Sequence, residues 1–215
     1  MKIAMLGTGI VGEMLGSKLV ELGHDVTMGG REITNAKGQA WAAKHEGGAS
    51  YGSFAQAAAF GEVVFCCVNG EHSIDALAAA GADNLAGKLL VDVGNLLDFN
   101  NGMPKSLASA ENCLAEKIQA AFPDAHVVKS LNTMSSYVMV KPSLVPGDHN
   151  VFMSGDNGEA KAQLRSLLQS FGWADANIID LGALFTARGP EMFMQLWLSL
   201  WPVYRSQPFN IGIFK

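Results

Sequence analysis

The run KIAMLGTGIVGEMLGSKLVELG, residues 2–23, decides the fold of this chain. Ile3 to Leu6 are continuously apolar and of strand length, three glycines follow at Gly7, Gly9 and Gly12, and the next stretch has helical length and closes at Gly23. The bare G-x-G-x-x-G pattern means little in a chain with 24 glycines. Its context, directly after a strand and opening a helix, gives it force. There Gly7 permits a tight turn, Gly9 lets a pyrophosphate approach the backbone with no Cβ in the way, and Gly12 lets the helix pack close to the sheet, a face that Gly16 extends. The N–H groups of Thr8, Gly9, Ile10, Val11 and Gly12, together with the positive end of the helix, then make a seat for a dinucleotide diphosphate. A ligand-free turn would not ask for all three glycines.

The same alternation continues along the chain. Strand candidates are KIAMLG, DVTMG, EVVFCCV, KLLVDVG, HVVKSLN, NVFMSG and NIIDLG, nearly all apolar, as strands covered on both faces should be. Between them lie VGEMLGSKLVELG, ITNAKGQAWAAKH, SLASAENCLAEKIQAAF and GEAKAQLRSLLQSFG, all of helical length. This order predicts an α/β fold: a Rossmann-type, doubly wound parallel sheet with a helical C-terminal extension. Residues 1–215 read as one nucleotide-binding domain, with residues 181–215 a helix and tail packed on it. No linker, low-complexity segment or further repeat is visible, and all seven prolines fall from Pro104 onward.

The totals exclude other classes. With 49% apolar and 16% charged residues the chain folds into a globule. Its net charge of −5, with basic residues scattered, gives no footprint for nucleic acid. Cys66 and Cys67 are neighbours on a strand and point to opposite faces, so these two and Cys113 read as reduced cysteines. The start of the chain lacks the features of a signal peptide. MFMQLWLSLWPVYR, residues 192–205, is too short to span a bilayer and contains Gln195, Ser199 and Pro202. A cytoplasmic location without membrane association is expected.

The second strand chooses the dinucleotide. An NAD site usually ends it in Asp or Glu, whose carboxylate takes the ribose hydroxyls and repels a 2′-phosphate. Here it ends Met28-Gly29-Gly30-Arg31. The guanidinium fork of Arg31 suits a phosphate, the two glycines leave room for one, and NADP is favoured. The other reading makes Arg31 a solvated charge and gives the ribose to Glu32.

With these residues in hand, the chain resembles the deazaflavin (coenzyme F420)-dependent NADP oxidoreductases, to which the cytoplasmic domain of the STEAP metalloreductases is related. The resemblance rests on KIAMLGTGIVG, GGR, VVKSLNTM and DLGALFTARGPEMF, in order over nearly the whole length. It implies that Thr8 and Ile10 to Gly12 hold the diphosphate and Arg31 the 2′-phosphate. Family members often carry Ser where Gly30 stands and a further basic residue where Asn35 stands; Lys37 is the candidate to compensate. The resemblance further implies a deazaflavin as hydride acceptor, with a flavin or quinone-like molecule the other candidates.

The nicotinamide is expected over the carboxyl ends of the strands. The loops there carry Val68, Asn69 and Gly70; Gly94 and Asn95; and Ser130 to Met134. Asn69, Asn95 and Asn132 are candidates to orient the carboxamide and Met134 to pack on the ring, against the alternative that they are turn and capping residues. Hydride transfer to a flavin-like ring needs alignment more than a dedicated acid, so no catalytic residue is assigned.

Other signals are weaker. Tyr137 and Lys141, after Ser135 and Ser136, imitate the trio of short-chain dehydrogenases, but Pro142 disfavours helix at Lys141. The five histidines show no metal-ligand spacing, and His72 reads as a helix-start residue or a substrate contact. Phe193, Leu196, Trp197, Leu200, Trp201 and Tyr204 form an aromatic stripe at helical spacing. It suits core packing, a homodimer contact or, with Trp197, Trp201 and Phe209, the wall of an acceptor site. The expected activity is hydride transfer between NADPH and a planar acceptor. The alternatives are a non-catalytic NADP(H) sensor, which predicts an exposed stripe, and a reductase of imines or small ketones, which needs a proton donor such as Tyr137, Lys141 or His72.

Overall fold

In the computed structural model, which describes residues 1–45, 47–100, 102–205 and 207–214, the opening run folds as β1 (Lys2–Leu6) and α1 (Ile10–Glu21). There follow β2 (Asp25–Gly30), α2 (Ala36–Lys44), β3 (Ala49–Ser53), α3 (Phe54–Phe60), β4 (Val63–Cys66), α4 (Ser73–Ala80), α5 (Ala82–Leu85) and β5 (Leu89–Asp92). A two-residue ribbon of β6 (Leu97–Asp98) and β7 (Lys105–Ser106) leads to α6 (Leu114–Ala121) and β8 (His126–Ser130). The chain continues through α7 (Ser136–Val140), β9 (Val151–Gly155), α8 (Gly158–Ser170), β10 (Ile178–Asp180) and α9 (Arg188–Tyr204). Ser206 and Lys215 of the expected extension lie outside the described residues.

The main sheet runs β10-β9-β8-β5-β4-β1-β2-β3. From β3 to β8 every pairing is parallel, the doubly wound arrangement expected of the alternation. Side chains of β1 alternate between two cores: Ile3 and Met5 join one cluster with Leu15, Leu19 and Trp41, Ala4 and Leu6 the other with Ala57, Leu77 and Leu114. All four are fully buried, and each larger one contributes about 1.5–3 kcal/mol. The order reverses between β1 and β4, and the crevice at their carboxyl ends is the place such sheets offer a ligand.

Three features depart from expectation. β3, ASYGS, is an added edge strand: only Gly52 is buried there, so it carries no apolar run to announce it. β9 pairs antiparallel with β8, and β10 follows it, so the last two strands oppose the rest. A parallel return needs a crossover of a dozen or more residues, usually helical. Pro142 and Pro146 leave only the five-residue α7 and a 3-10 turn at Pro142–Leu144, and the chain turns back. The helix expected from Ser106 begins only at Leu114, where the Glu191 carboxylate accepts the free amides of Leu114 (2.7 Å) and Ala115 (3.0 Å).

The buried residues of α9 are Pro190, Glu191, Met194 and Leu198. Its aromatic stripe lies on another face: Leu196, Trp201 and Tyr204 are exposed and Phe193, Trp197 and Leu200 half-buried, so the stripe is not core. The tail folds back along it. Phe209 stacks on Trp197 with centroids 5.5 Å apart, while the Asn150 amide donates to Ile211 O (2.9 Å) and the Asn150 side chain accepts from Ile213 N (2.7 Å).

Candidate functional site

The glycine loop is built as its spacing requires. Gly7 sits at φ +123°, and its amide donates to Gly29 O at 2.9 Å, joining the turn to β2. A Cβ on Gly7 would stand 3.0 Å from the Cys67 carbonyl, and one on Gly12 only 2.1 Å from Gly7 O, so these two glycines set how close α1 approaches the sheet. Gly9 differs: nothing lies within 4 Å of where its Cβ would be. It is the N-cap of α1, exposed and without a side-chain cap, so the first amides of the helix face open space. Exposed Ile10 and half-buried Val11 complete the first turn. Gly16 makes room for Trp41, whose ring would stand 3.0 Å from a Cβ there.

Two clefts meet at Thr8 and Gly9. The first, of about 440 Å³, is lined by Gly7, Thr8, Gly9, Gly30 and Arg31 on one side and by Val68, Asn69, His72 and Asp75 on the other. The second, of about 340 Å³, adds Ile10, Lys37, Trp41 and Lys44. Arg31 is exposed and enters none of the ion pairs among the described residues, so its fork is available to a ligand. Lys37 opens into the neighbouring cleft, not the one Arg31 lines.

The glycines before Arg31 also meet a packing need. A Cβ on Gly30 would lie 2.3 Å from the Tyr51 hydroxyl, and one on Gly29 2.9 Å from Ala57 Cβ. Their smallness admits Tyr51 and α3, and Gly30 lines the same cleft as Arg31. Tyr51 in turn donates to Glu32 O at 2.5 Å, which fixes the backbone just after Arg31. Burial, with Glu32 nearby, raises the tyrosine pKa, so the hydroxyl keeps its proton. Tyr51 lies on β3, the strand the sequence did not announce.

At the other end of the crevice the candidate amides bind one another. Asn132 Nδ2 donates to Asn95 Oδ1 (2.9 Å) and Pro190 O (3.1 Å), and Asn95 Nδ2 donates to Asn132 O (2.9 Å). Asn132 and Met134 are buried, Asn95 is half-buried and Asn69 exposed. The pair therefore ties the loop after β8 to the start of α9.

A charged cluster below this pair went unread in the sequence. Lys129 of β8 faces its register partner Asp92 of β5, Nζ to Oδ2 2.8 Å, and Nζ also meets Glu191 Oε1 at 3.0 Å and Gly94 O at 2.5 Å. All three side chains are essentially inaccessible to solvent. Burial raises the Asp92 pKa despite Lys129. Burial alone would lower that of Lys129, but the two carboxylates reverse this and hold the ammonium charged. The available signal was a charge inside each of two apolar strands, VVKS and LLVD. Cys66 and Cys113 are buried beside this cluster, and burial pushes each thiol up to about 12. They stay protonated and unreactive near neutrality.

Comparisons with known proteins agree with the geometry. The family model described as NADP oxidoreductase, coenzyme F420-dependent, matches residues 2–96. A crystal structure from Arthrobacter sp. FB24, provisionally named an F420-dependent NADP-reductase, is 43% identical, with 100% of each chain covered and a TM-score of 0.92. The rat metalloreductase STEAP3 is 29% identical over 208 residues, covering 94% of this chain but 38% of that protein, so the chain spans about two fifths of that relative. An imine reductase from Myxococcus stipitatus, solved with NADP+, shares the fold at 17% identity, with a TM-score of 0.67 over 94% of this chain and 63% of that one. No helix among the described residues is long and apolar enough to cross a membrane. On the strength of its match over the whole length of the Arthrobacter structure, the chain belongs to the coenzyme F420-dependent NADP oxidoreductase family.

Proposed function

We propose that the chain binds NADPH across the crevice between β1 and β4 and passes its hydride to a flat acceptor of deazaflavin or flavin type. The observation that carries this reading is the pairing of open space at Gly9, over the uncapped amides of α1, with an unpaired Arg31 on the same cleft. The amides of Thr8 to Gly12 would hold the diphosphate, and the Arg31 fork the 2′-phosphate. Lys37 and Lys44, in the adjoining cleft, add positive potential beside Thr8 without sharing the Arg31 cleft. Val68 and Asn69 share the Arg31 cleft, which would turn Asn69 toward the adenosine half rather than the carboxamide, while Asn95, Asn132 and Met134 would shape the floor at the nicotinamide end.

When bound, the nicotinamide supplies two electrons and a proton as hydride, and the acceptor ring takes a second proton from solvent. The chain's part is to align two rings and exclude water, since such an acceptor carries its own electron sink. NADPH oxidation against deazaflavin F420, FMN, quinones and ferric chelates, with NADH in parallel, tests the reading. Turnover confined to NADH would refute the role given to Arg31.

One observation favours a second reading. The stripe of α9 is exposed at Leu196, Trp201 and Tyr204, the surface a nucleotide sensor would offer to a partner or to a second copy of the chain. Tight NADPH binding with no turnover on any acceptor in the panel would support it, and sedimentation reads self-association through α9.

A further inference from the structure

The buried ions at the carboxyl ends of β5 and β8 grip a peptide. Asp92 Oδ1 accepts the Gly94 amide (2.9 Å) and Lys129 Nζ donates to the Gly94 carbonyl, so one residue is held by both of its backbone groups. A Cβ on Gly94 would stand 2.9 Å from Leu114 and 3.1 Å from Asp92 Oδ1, which reserves that place for glycine. The next residue is Asn95, which exchanges two hydrogen bonds with Asn132. Asn132 also donates to Pro190 O, and the residue after Pro190 is Glu191, whose Oε1 meets Lys129 Nζ. The ends of β5 and β8 and the start of α9 are thus closed into one ring that runs from Lys129 through Gly94, Asn95, Asn132 and Glu191 back to Lys129.

The ring holds a strained segment. Leu131, between Ser130 and Asn132, sits at φ +65°, in the left-handed region, and is 1% exposed. A buried branched side chain is costly there and persists only where its surroundings over-determine it, most often at functional sites. Stability does not account for the ions. A buried ion pair can often be replaced by apolar residues of like volume with no loss of stability, because desolvation consumes what the attraction gains. What fixed acceptors around an ammonium supply is direction: Lys129 has three N–H groups and spends them on Asp92, Glu191 and the Gly94 carbonyl. Both strands end here, on the side where open α/β sheets take their ligand.

We propose that Asp92, Lys129 and Glu191 are positioning residues for the hydride donor: through Gly94 and Pro190 they fix Asn95 and Asn132 as a rigid floor on which the nicotinamide half of NADPH rests. The inference rests on the NADPH reading given above and adds what holds the reactive half still. The three charged side chains are enclosed and do not reach the crevice, so they act only through the residues they hold. Hydride transfer is sensitive to the placement of the donor ring, and a floor locked from behind keeps that placement without reorganisation at each turnover. The adenosine half, seated at Gly9 and Arg31, does not depend on the ring.

The test compares NADPH with adenosine 2′,5′-bisphosphate, which carries the phosphorylated adenosine half and no nicotinamide, by calorimetry on the full chain. The emission of bound NADPH reports the surroundings of its ring. The wild type should bind NADPH at least roughly tenfold more tightly than the bisphosphate, the share of one or two hydrogen bonds at the nicotinamide half. In the double variant Asp92→Leu with Lys129→Met, which removes both charges together, that margin should close to within about twofold. The bisphosphate should keep its affinity, and bound NADPH should emit more like the free nucleotide. Glu191→Gln keeps the side-chain volume and the pairing of Asp92 with Lys129, and as the milder cut it should narrow the margin by roughly threefold. A cluster that served stability alone would weaken both ligands alike. Equal loss of both ligands, or a folded variant with the full NADPH margin, would overturn the inference, as would a wild type that binds the two equally. A wild type that binds neither would refute the nucleotide seat, and this inference with it.

Discussion

Replacing Gly9 by alanine separates the nucleotide seat from the fold around it. The backbone at Gly9, φ −84° and ψ 178°, is open to any residue, and its Cβ would meet nothing within 4 Å. The only intrinsic cost is a slightly poorer helix cap, up to about 1 kcal/mol. A bound diphosphate changes the outcome. A methyl carbon needs about 3.5 Å from its neighbours, whereas a charge-assisted N–H···O bond is about 2.8 Å long, so the phosphate must retreat by roughly half an ångström or more. One or two charge-assisted bonds are lost, about 2–4 kcal/mol, or roughly 30–1,000-fold in Kd. Calorimetric titration of Gly9→Ala with NADPH, beside its thermal melt, reads both quantities. Unchanged NADPH affinity in a variant of unchanged stability would refute the claim that the diphosphate lies against this loop.

Further outcomes are expected elsewhere. Gly12→Ala should lose both nucleotide affinity and stability, the latter by about 1–3 kcal/mol, because its Cβ would stand 2.1 Å from Gly7 O and α1 must move; a thermal melt checks this. Glu191→Ala strips Lys129 of one partner and the amides of Leu114 and Ala115 of their acceptor, a loss of about 3–5 kcal/mol, or roughly 6–20 °C in the melting midpoint. Glu116 accepts two hydrogen bonds from Arg188, which hold its pKa below the ordinary value of 4.5. Its contribution is therefore present above that pH and lost as pH falls through the lower folded value, so Glu116→Gln should lower the melting temperature modestly at neutral pH, flatten the acid side of the stability profile and change little below the folded value, as thermal melts across pH would read.

Much of this was legible because it is local. Strand, turn and helix at the first crossover follow one another in 20 residues, and Gly7, Gly9 and Gly12 each meet a need that backbone geometry imposes. The apolar strands were readable for the same reason. What escaped depends on residues far apart in sequence. Asp92, Lys129 and Glu191 become neighbours only when β5, β8 and α9 assemble, and one carboxylate both neutralises a buried ammonium and starts α6. Tyr51, on a glycine- and serine-rich edge strand, gives Gly30 a packing role that no local pattern announced. The turning back of β9 follows from Pro142 and Pro146, which were visible, but the sign of a strand pairing is not written in any one segment. The stripe of α9 had the spacing of a core face, yet a helix buries only the side it turns to the rest of the fold, and here Met194 and Leu198 occupy it.

The claim on which everything else depends is that the amides after β1 and the Arg31 guanidinium together choose a phosphorylated dinucleotide. Parallel calorimetric titrations of the wild-type chain and Arg31→Ala with NADPH and NADH address it directly. NADPH should bind the wild type at least roughly tenfold more tightly than NADH, the margin expected of a charge-assisted contact to phosphate, and the variant should bind both alike. Equal affinities in the wild type, or a preference for NADPH that survives the loss of Arg31, would contradict it.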